Sequence, residues 1–191
     1  MSETPDLSRR RRLPGSVRIA AWTLGIVLIL ALALLVTGSF RLRGSLPALD
    51  GDLDLAGLSA PVTIERDSLG VPTVRASNRL DAARALGFLH GQDRFFQMDL
   101  LRRQPAGELS ELFGGLAYDS DRTMKLHRFR YRAERAIETG SEPQRRILEA
   151  YTAGVNSGLT ALDDLPFEYI LLRVEPVPWR LEDSILVLYA M

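Results

Sequence analysis

Between Ile19 and Phe40 the chain runs for 22 residues without a charge. As a helix such a run is about 33 Å long, enough to cross the hydrocarbon core of a bilayer. Its centre, Leu24–Val36, is nearly all Leu, Ile, Val and Ala, and Trp22 and Phe40 lie near its two ends, where aromatic side chains favour the interface. A buried core helix is the competing reading, but a soluble helix of this length usually shows a polar face. Arg9, Arg10, Arg11, Arg12 and Arg18 precede the run, whereas only Arg41 and Arg43 follow it closely. That imbalance keeps the N-terminus in the cytoplasm and sends the rest of the chain across. An uncleaved anchor is favoured over a cleaved signal peptide. The apolar run is longer than a usual signal core, and Val36-Thr37-Gly38 is a poor cleavage site.

Charge is distributed in the same three parts. Lys plus Arg and Asp plus Glu both number 24, so the formal net charge is zero. Residues 1–18 are net +3, while residues 44–191 hold 17 basic and 22 acidic side chains. No basic excess marks the exported part, which argues against a nucleic-acid partner. A hydrophobic share of 46% with 25% charged residues excludes wholesale disorder. The absence of cysteine excludes disulfides, thiolate nucleophiles and cysteine–zinc sites. His90 and His127 are the only histidines, too few for a histidine-built metal centre.

The expected organisation is a basic cytoplasmic tail at 1–18, a membrane anchor or signal at 19–40, a Gly/Pro-containing linker at 41–60 and a folded domain at 61–191. Val62 and Ile64 alternate with Thr63 and Glu65, and Asp67-Ser-Leu-Gly70 is a turn signal with Gly70 free to take positive φ. A β-hairpin across 61–76 follows. Ser77-Asn78 caps a helix from about Leu80 to Arg103, stopped by Pro105 and Gly107. A short helix is expected within 108–116, and one arginine-rich helix over 122–139. Ser141 and Gln144 form a capping box before a helix that places Leu148, Tyr151, Val155 and Leu159 on one face. A short helix near 167–173, an extended Pro176-Val-Pro178-Trp179 and a final apolar helix complete the chain. That last helix reaches Met191 with no cap and no polar tail, which suggests the front part of a longer protein.

Read from the residues alone, no catalytic set emerges. There is no phosphate loop, no His-Glu-x-x-His and no Gly-x-Ser-x-Gly. His127 sits among Lys125 and Arg128, a poor setting for a general base. His90, Gln92, Asp93 and Arg94 form a polar cluster between apolar turns. It either contacts substrate or forms a buried polar network that satisfies backbone ends or pairs with Arg102 and Arg103. Asp67 beside Arg66 suggests a local ion pair closing the hairpin.

The ordered series of motifs is more informative than any single piece. Ile64-Glu-Arg66-Asp67-Ser-Leu-Gly70-Val71-Pro72 is followed by Ala85-Leu-Gly87-Phe-Leu-His90-Gly91-Gln92-Asp93-Arg94-Phe-Phe-Gln-Met98. Arg102-Arg103, Gly107-Glu-Leu-Ser-Glu-Leu-Phe-Gly114, Asp121-Arg122, Tyr151-Thr-Ala-Gly154-Val-Asn156, Pro176-Val-Pro178-Trp179 and Asp183-Ser184 continue it. Over 61–191 the chain resembles the opening of the penicillin acylase family. Gly91 stands where alanine is frequent there, and Thr73 where histidine is frequent.

The resemblance implies an α+β fold, mainly α in this segment, belonging to an αββα sandwich of the N-terminal-nucleophile hydrolase type. It implies a zymogen that cuts itself into two chains, the second beginning with a nucleophilic serine whose own α-amine serves as base. An oxyanion hole and an acyl-enzyme complete hydrolysis of a penicillin-like or other N-acyl amide, with no cofactor required. Acyl-homoserine lactones and glutaryl-cephalosporins are alternative substrates within the family, and a non-catalytic membrane-anchored interaction module is the alternative outside it. The serine, the oxyanion hole and any structural calcium ligand would lie beyond Met191, so the partner is the remaining β-chain part of the precursor. Within this chain the resemblance marks Arg66, Asp67, Gly70, Pro72, Gln92, Asp93 and Arg94 as structural motif residues. It also places Met191 at an acyl-pocket position, with core packing as the competing role.

Overall fold

The computed structural model describes residues 15–191, so most of the expected basic tail lies outside the described residues. Helix α1 spans Gly15–Gly44. The chain divides into two units at Phe40/Arg41. In the first, Leu24, Ile29, Leu34 and Leu35 are all exposed. The stretch Trp22–Gly44 is long and apolar enough to cross a membrane.

The second unit begins with an irregular stretch and a two-stranded antiparallel hairpin, β1 Thr63–Arg66 and β2 Pro72–Arg75, in which Arg66 pairs with Pro72. It continues as α2 Arg79–Ala106, α3 Ser110–Phe113, a 3-10 turn over 114–117, α4 Tyr118–Lys125, α5 Phe129–Thr139, α6 Glu142–Thr160, α7 Phe167–Leu172 and α8 Leu181–Ala190. The segment is thus mainly helical, and the hairpin is the only sheet among the described residues.

Local chemistry explains most boundaries. The Asn78 side chain accepts from the Leu80 and Asp81 amides and so caps α2. Gly107 ends it at φ +69, in the left-handed region that glycine enters without cost. Pro105 is tolerated inside the last turn, and Arg94, with φ −151, kinks the helix midway. Gln144 Oε1 accepts from the Ser141 amide at 3.4 Å and its hydroxyl at 2.9 Å, the expected capping box of α6. One expectation fails. The helix foreseen over 122–139 is two helices, because Arg128 takes a left-handed φ of 52 and breaks it.

The scaffold is the pairing of α2 with α6. Gly87 and Gly91 on α2 face Gly154 and Gly158 on α6. A Cβ at Gly87 would lie 2.2 Å from the Tyr151 carbonyl oxygen, and one at Gly91 the same distance from that of Val155. In return, Gly154 and Gly158 would clash with the Arg84 and Phe88 carbonyls at 2.0 and 2.1 Å. None of the four has a positive φ, so they are glycine for space and not for backbone freedom. The two backbones touch, as small-residue helix pairs do. Beside this contact Phe95, Met98, Leu112, Val155, Tyr169 and Trp179 form the main core, and Ala106, Ala133 and Leu186 a second.

Replacing Gly154 by Ala drives a methyl into backbone that cannot move alone. A loss of about 3 kcal/mol or more is expected, seen as a sharply lower Tm and yield of the full-length protein. Gly115→Ala, where nothing lies within 4 Å, should change little.

Candidate functional site

The sequence-marked residues of the hairpin meet α2 at one node. Asp67 accepts from the Leu69 and Val71 amides, each at 2.9 Å, and so builds the turn that Gly70 completes at φ +78. Asp67 does not pair with Arg66. The Arg66 guanidinium reaches Asp93 on α2 instead, at 2.9 and 2.8 Å to its two oxygens, and also donates to the Gly70 carbonyl at 3.2 Å. The pair is only 18% exposed on both sides, which makes it stronger than a surface bridge. Gln92 is buried against a cleft of about 580 Å³, lined with it by Leu55, Val62, Ile64, Arg66 and Phe88. Arg94 marks the kink of α2. The node ties hairpin to helix.

The cleft's outer wall belongs to the expected linker, whose end is fastened. Asp81 accepts from the Ser59 amide and hydroxyl and from the Ala60 amide. The Ser59 amide, then its hydroxyl, with Asn78 and Ala60, hold the Asp81 carboxyl below its ordinary pKa against burial.

The polar cluster of α2 is satisfied by polar partners, but these are Arg66 for Asp93 and Tyr151 for His90, not Arg102 and Arg103. His90 Nδ1 lies 2.9 Å from the Tyr151 hydroxyl. Burial, with Arg94 nearby, lowers the His90 pKa, and burial pushes Tyr151 up to about 12. His127 stacks on Phe129 with ring centroids 5.2 Å apart. Neither histidine is placed as a general base for a serine.

Arg102 and Arg103 serve a separate, buried network that sequence reasoning missed. Asp99 Oδ1 accepts from Arg102 Nε at 2.7 Å and from Arg103 Nε at 2.9 Å, and its other oxygen accepts from the Tyr169 hydroxyl at 2.7 Å. Arg103 also donates to Glu111 at 2.5 Å. Arg102 continues to the carboxylate of Asp183, which accepts from Arg130 Nη1 at 3.1 Å as well. Arg130 is held in turn by Glu108 at 2.6 and 2.5 Å. Burial alone would lower the Arg130 and Arg103 pKa values. Glu108 and Asp183 around the first, and Asp99 and Glu111 around the second, outweigh it and raise both. Burial, then Asp99, raises Tyr169, so its hydroxyl stays a donor. The only available signal was the Asp99/Arg102/Arg103 spacing, which stacks the three on one helix face.

This network straps the Pro176–Trp179 stretch onto α2. Arg102 Nη2 donates to the Val177 carbonyl at 2.5 Å and Nη1 to that of Pro178 at 3.0 Å, with its guanidinium 5.1 Å from the Trp179 ring. Asn156 of α6 pairs with Trp179 like a strand neighbour, donating to its carbonyl at 3.0 Å and accepting from its amide at 2.7 Å. The strap leads into α8, which ends at Ala190. Met191, the residue after it, is 93% exposed. Among the described residues no group of three His, Asp or Glu side chains could hold a metal ion.

Fold and site together define a helical scaffold onto which the 176–179 stretch and α8 are strapped. A family model described as "Penicillin amidase" matches residues 61–191, and the chain belongs to that family. It is 43% identical over 147 residues to the penicillin acylase 2 proenzyme of Pseudomonas sp. (strain SE83), covering 77% of this chain and 19% of that protein. It is 36% identical over 148 residues to the acyl-homoserine lactone acylase QuiP of Pseudomonas aeruginosa, covering 77% and 18%. The thermostable penicillin G acylase from Alcaligenes faecalis superposes with a TM-score of 0.62 at 28% identity, over 68% of this chain and 71% of that chain. The chain therefore spans about a fifth of the length of these curated relatives.

Asp121 offers a pH test of the scaffold. It accepts from the Leu109 amide at 3.0 Å, the Ser110 amide at 2.6 Å and the Ser110 hydroxyl. Burial opposes its charge, but Ser110, Leu109 and Lys125 outweigh it and lower its pKa below the ordinary 3.8. Its stabilising contribution is therefore full above that value and is lost as pH falls through the folded pKa. Asp121→Asn should cost about 1–3 kcal/mol at pH 7. The Tm gap to the wild type should close as pH drops below about 3.8.

Proposed function

We propose that this chain is the front part of a self-processing amidohydrolase that cleaves N-acyl amides. The observation that carries the reading is the unbroken family match over residues 61–191, with its motif residues in structural use. In this reading the precursor cuts itself, and the new N-terminal serine of the second chain attacks the substrate carbonyl. Its α-amine takes the proton, and an oxyanion hole stabilises the tetrahedral intermediate before water releases the acid. The present segment supplies the scaffold and, through the end of α8 and Met191, a wall of the acyl pocket. By itself it is inactive. The chemistry needs no cofactor, and a structural calcium would be held by residues outside this segment.

Penicillin-like amides and acyl-homoserine lactones are both in keeping with the relatives, which carry both names. The uncharged 19–40 run is proposed to hold the domain outside the cytoplasm as an uncleaved anchor. Its length and composition, and the five arginines before it against Arg41 and Arg43 after it, support that role.

Expression of the full-length protein should yield two chains, the second with serine at its N-terminus, together with hydrolysis of N-acyl amides. Replacing that serine by alanine should abolish processing and activity together. An uncut, stable full-length protein, or one that hydrolyses no N-acyl amide, would contradict the proposal.

A further inference from the structure

We infer that Arg102 is a positioning residue for the acyl side of the substrate, acting through α8; this rests on the acylase reading above. Asp183 is the third residue of α8 and is fully buried. Its carboxylate accepts from Arg102, from Arg130 Nη1 at 3.1 Å and from the Arg180 amide at 2.8 Å. Three donors from three directions fix where α8 starts and how it is rotated. One turn on, Leu186 is fully buried beside Ala106 and Ala133. The other side of the same helix is apolar and open, with Leu188 64%, Tyr189 40% and Met191 93% exposed.

The lever arm is short and stiff. From Asp183 to Met191 a helix rises about 12 Å, so a tilt of about 10° at the clamp moves the far end by about 2 Å. Misplacements of that size matter greatly in a reacting complex. Arg102 suits the task because its planar fork binds the Val177 and Pro178 carbonyls and Asp183 at once while lying 5.8 Å from the Phe95 ring centre. Lysine keeps the charge but not the fork. Arg130, 23% exposed at the edge of the network, grips Asp183 from the opposite helix.

The test uses the processed full-length enzyme with Arg102→Lys and Arg130→Lys. Active sites are counted by burst titration. kcat and KM are then measured for N-acyl p-nitroanilides from acetyl to decanoyl, and for one acyl group on several amines. The expected result is that Arg102→Lys changes the preference between long and short acyl groups by about tenfold. The change should be carried more by KM than by kcat, with discrimination among amines preserved. Arg130→Lys should shift the same preference less, and it carries the test if Arg102→Lys fails to process. An unchanged acyl profile per active site in the processed variants, whatever their Tm, would overturn the inference. A processed wild type that cleaves none of these amides would overturn the acylase reading itself, and this inference with it.

Discussion

Everything in the folded unit is referred to the backbone contact between α2 and α6. Four glycines let two helices meet at carbonyl distance, and any side chain there would hold them apart. At that separation dispersion and weak Cα–H···O contacts act along both helices. Large residues on either side of the seam then close over it. Phe95 and Met98 from α2 and Val155 from α6 meet Tyr169 and Trp179. Gly91 belongs to this seam: a Cβ there would require the Val155 carbonyl to withdraw.

The buried charges are the second constraint, and they depend on the first. Asp99, Arg102, Arg103 and Asp183 are all nearly inaccessible to water. Such groups are costly to desolvate, and leaving one without its partner is worse than replacing the whole set by apolar residues. Each is accordingly partnered by others from α2, α3, α5, α7 and α8, so the network cannot form until those helices are in register. This makes it a device for specificity of arrangement more than for raw stability. It holds the strap of residues 176–180 and the first turn of α8 against a scaffold that is already rigid.

Much of this was legible in the sequence where a local rule decides. Asn78, Gly107 and the Ser141/Gln144 pair announce helix ends because caps are built from neighbours in the chain. The Asp67–Gly70 turn is equally local. What could not be read was partner choice across the fold. Arg66 ignores adjacent Asp67 for Asp93, 27 residues away, because Asp67 is already committed to two backbone amides. The break at Arg128 has no glycine or proline to signal it. Motif residues such as Asn156, Trp179 and Asp183 could be recognised as a pattern, but their use in one strap is a fact of packing. The acyl-pocket role proposed for Met191 rests on no local rule of this kind.

The central claim is that the glycine seam, the charge network and the start of α8 form one cooperative unit. Amide hydrogen exchange on the full-length protein tests it most directly. Amides of Phe95–Met98, Val155 and Asp183–Leu186 should share one opening free energy, the highest in this segment. Exchange of Asp183–Leu186 through a much easier local opening, with α2 and α6 still protected, would contradict it.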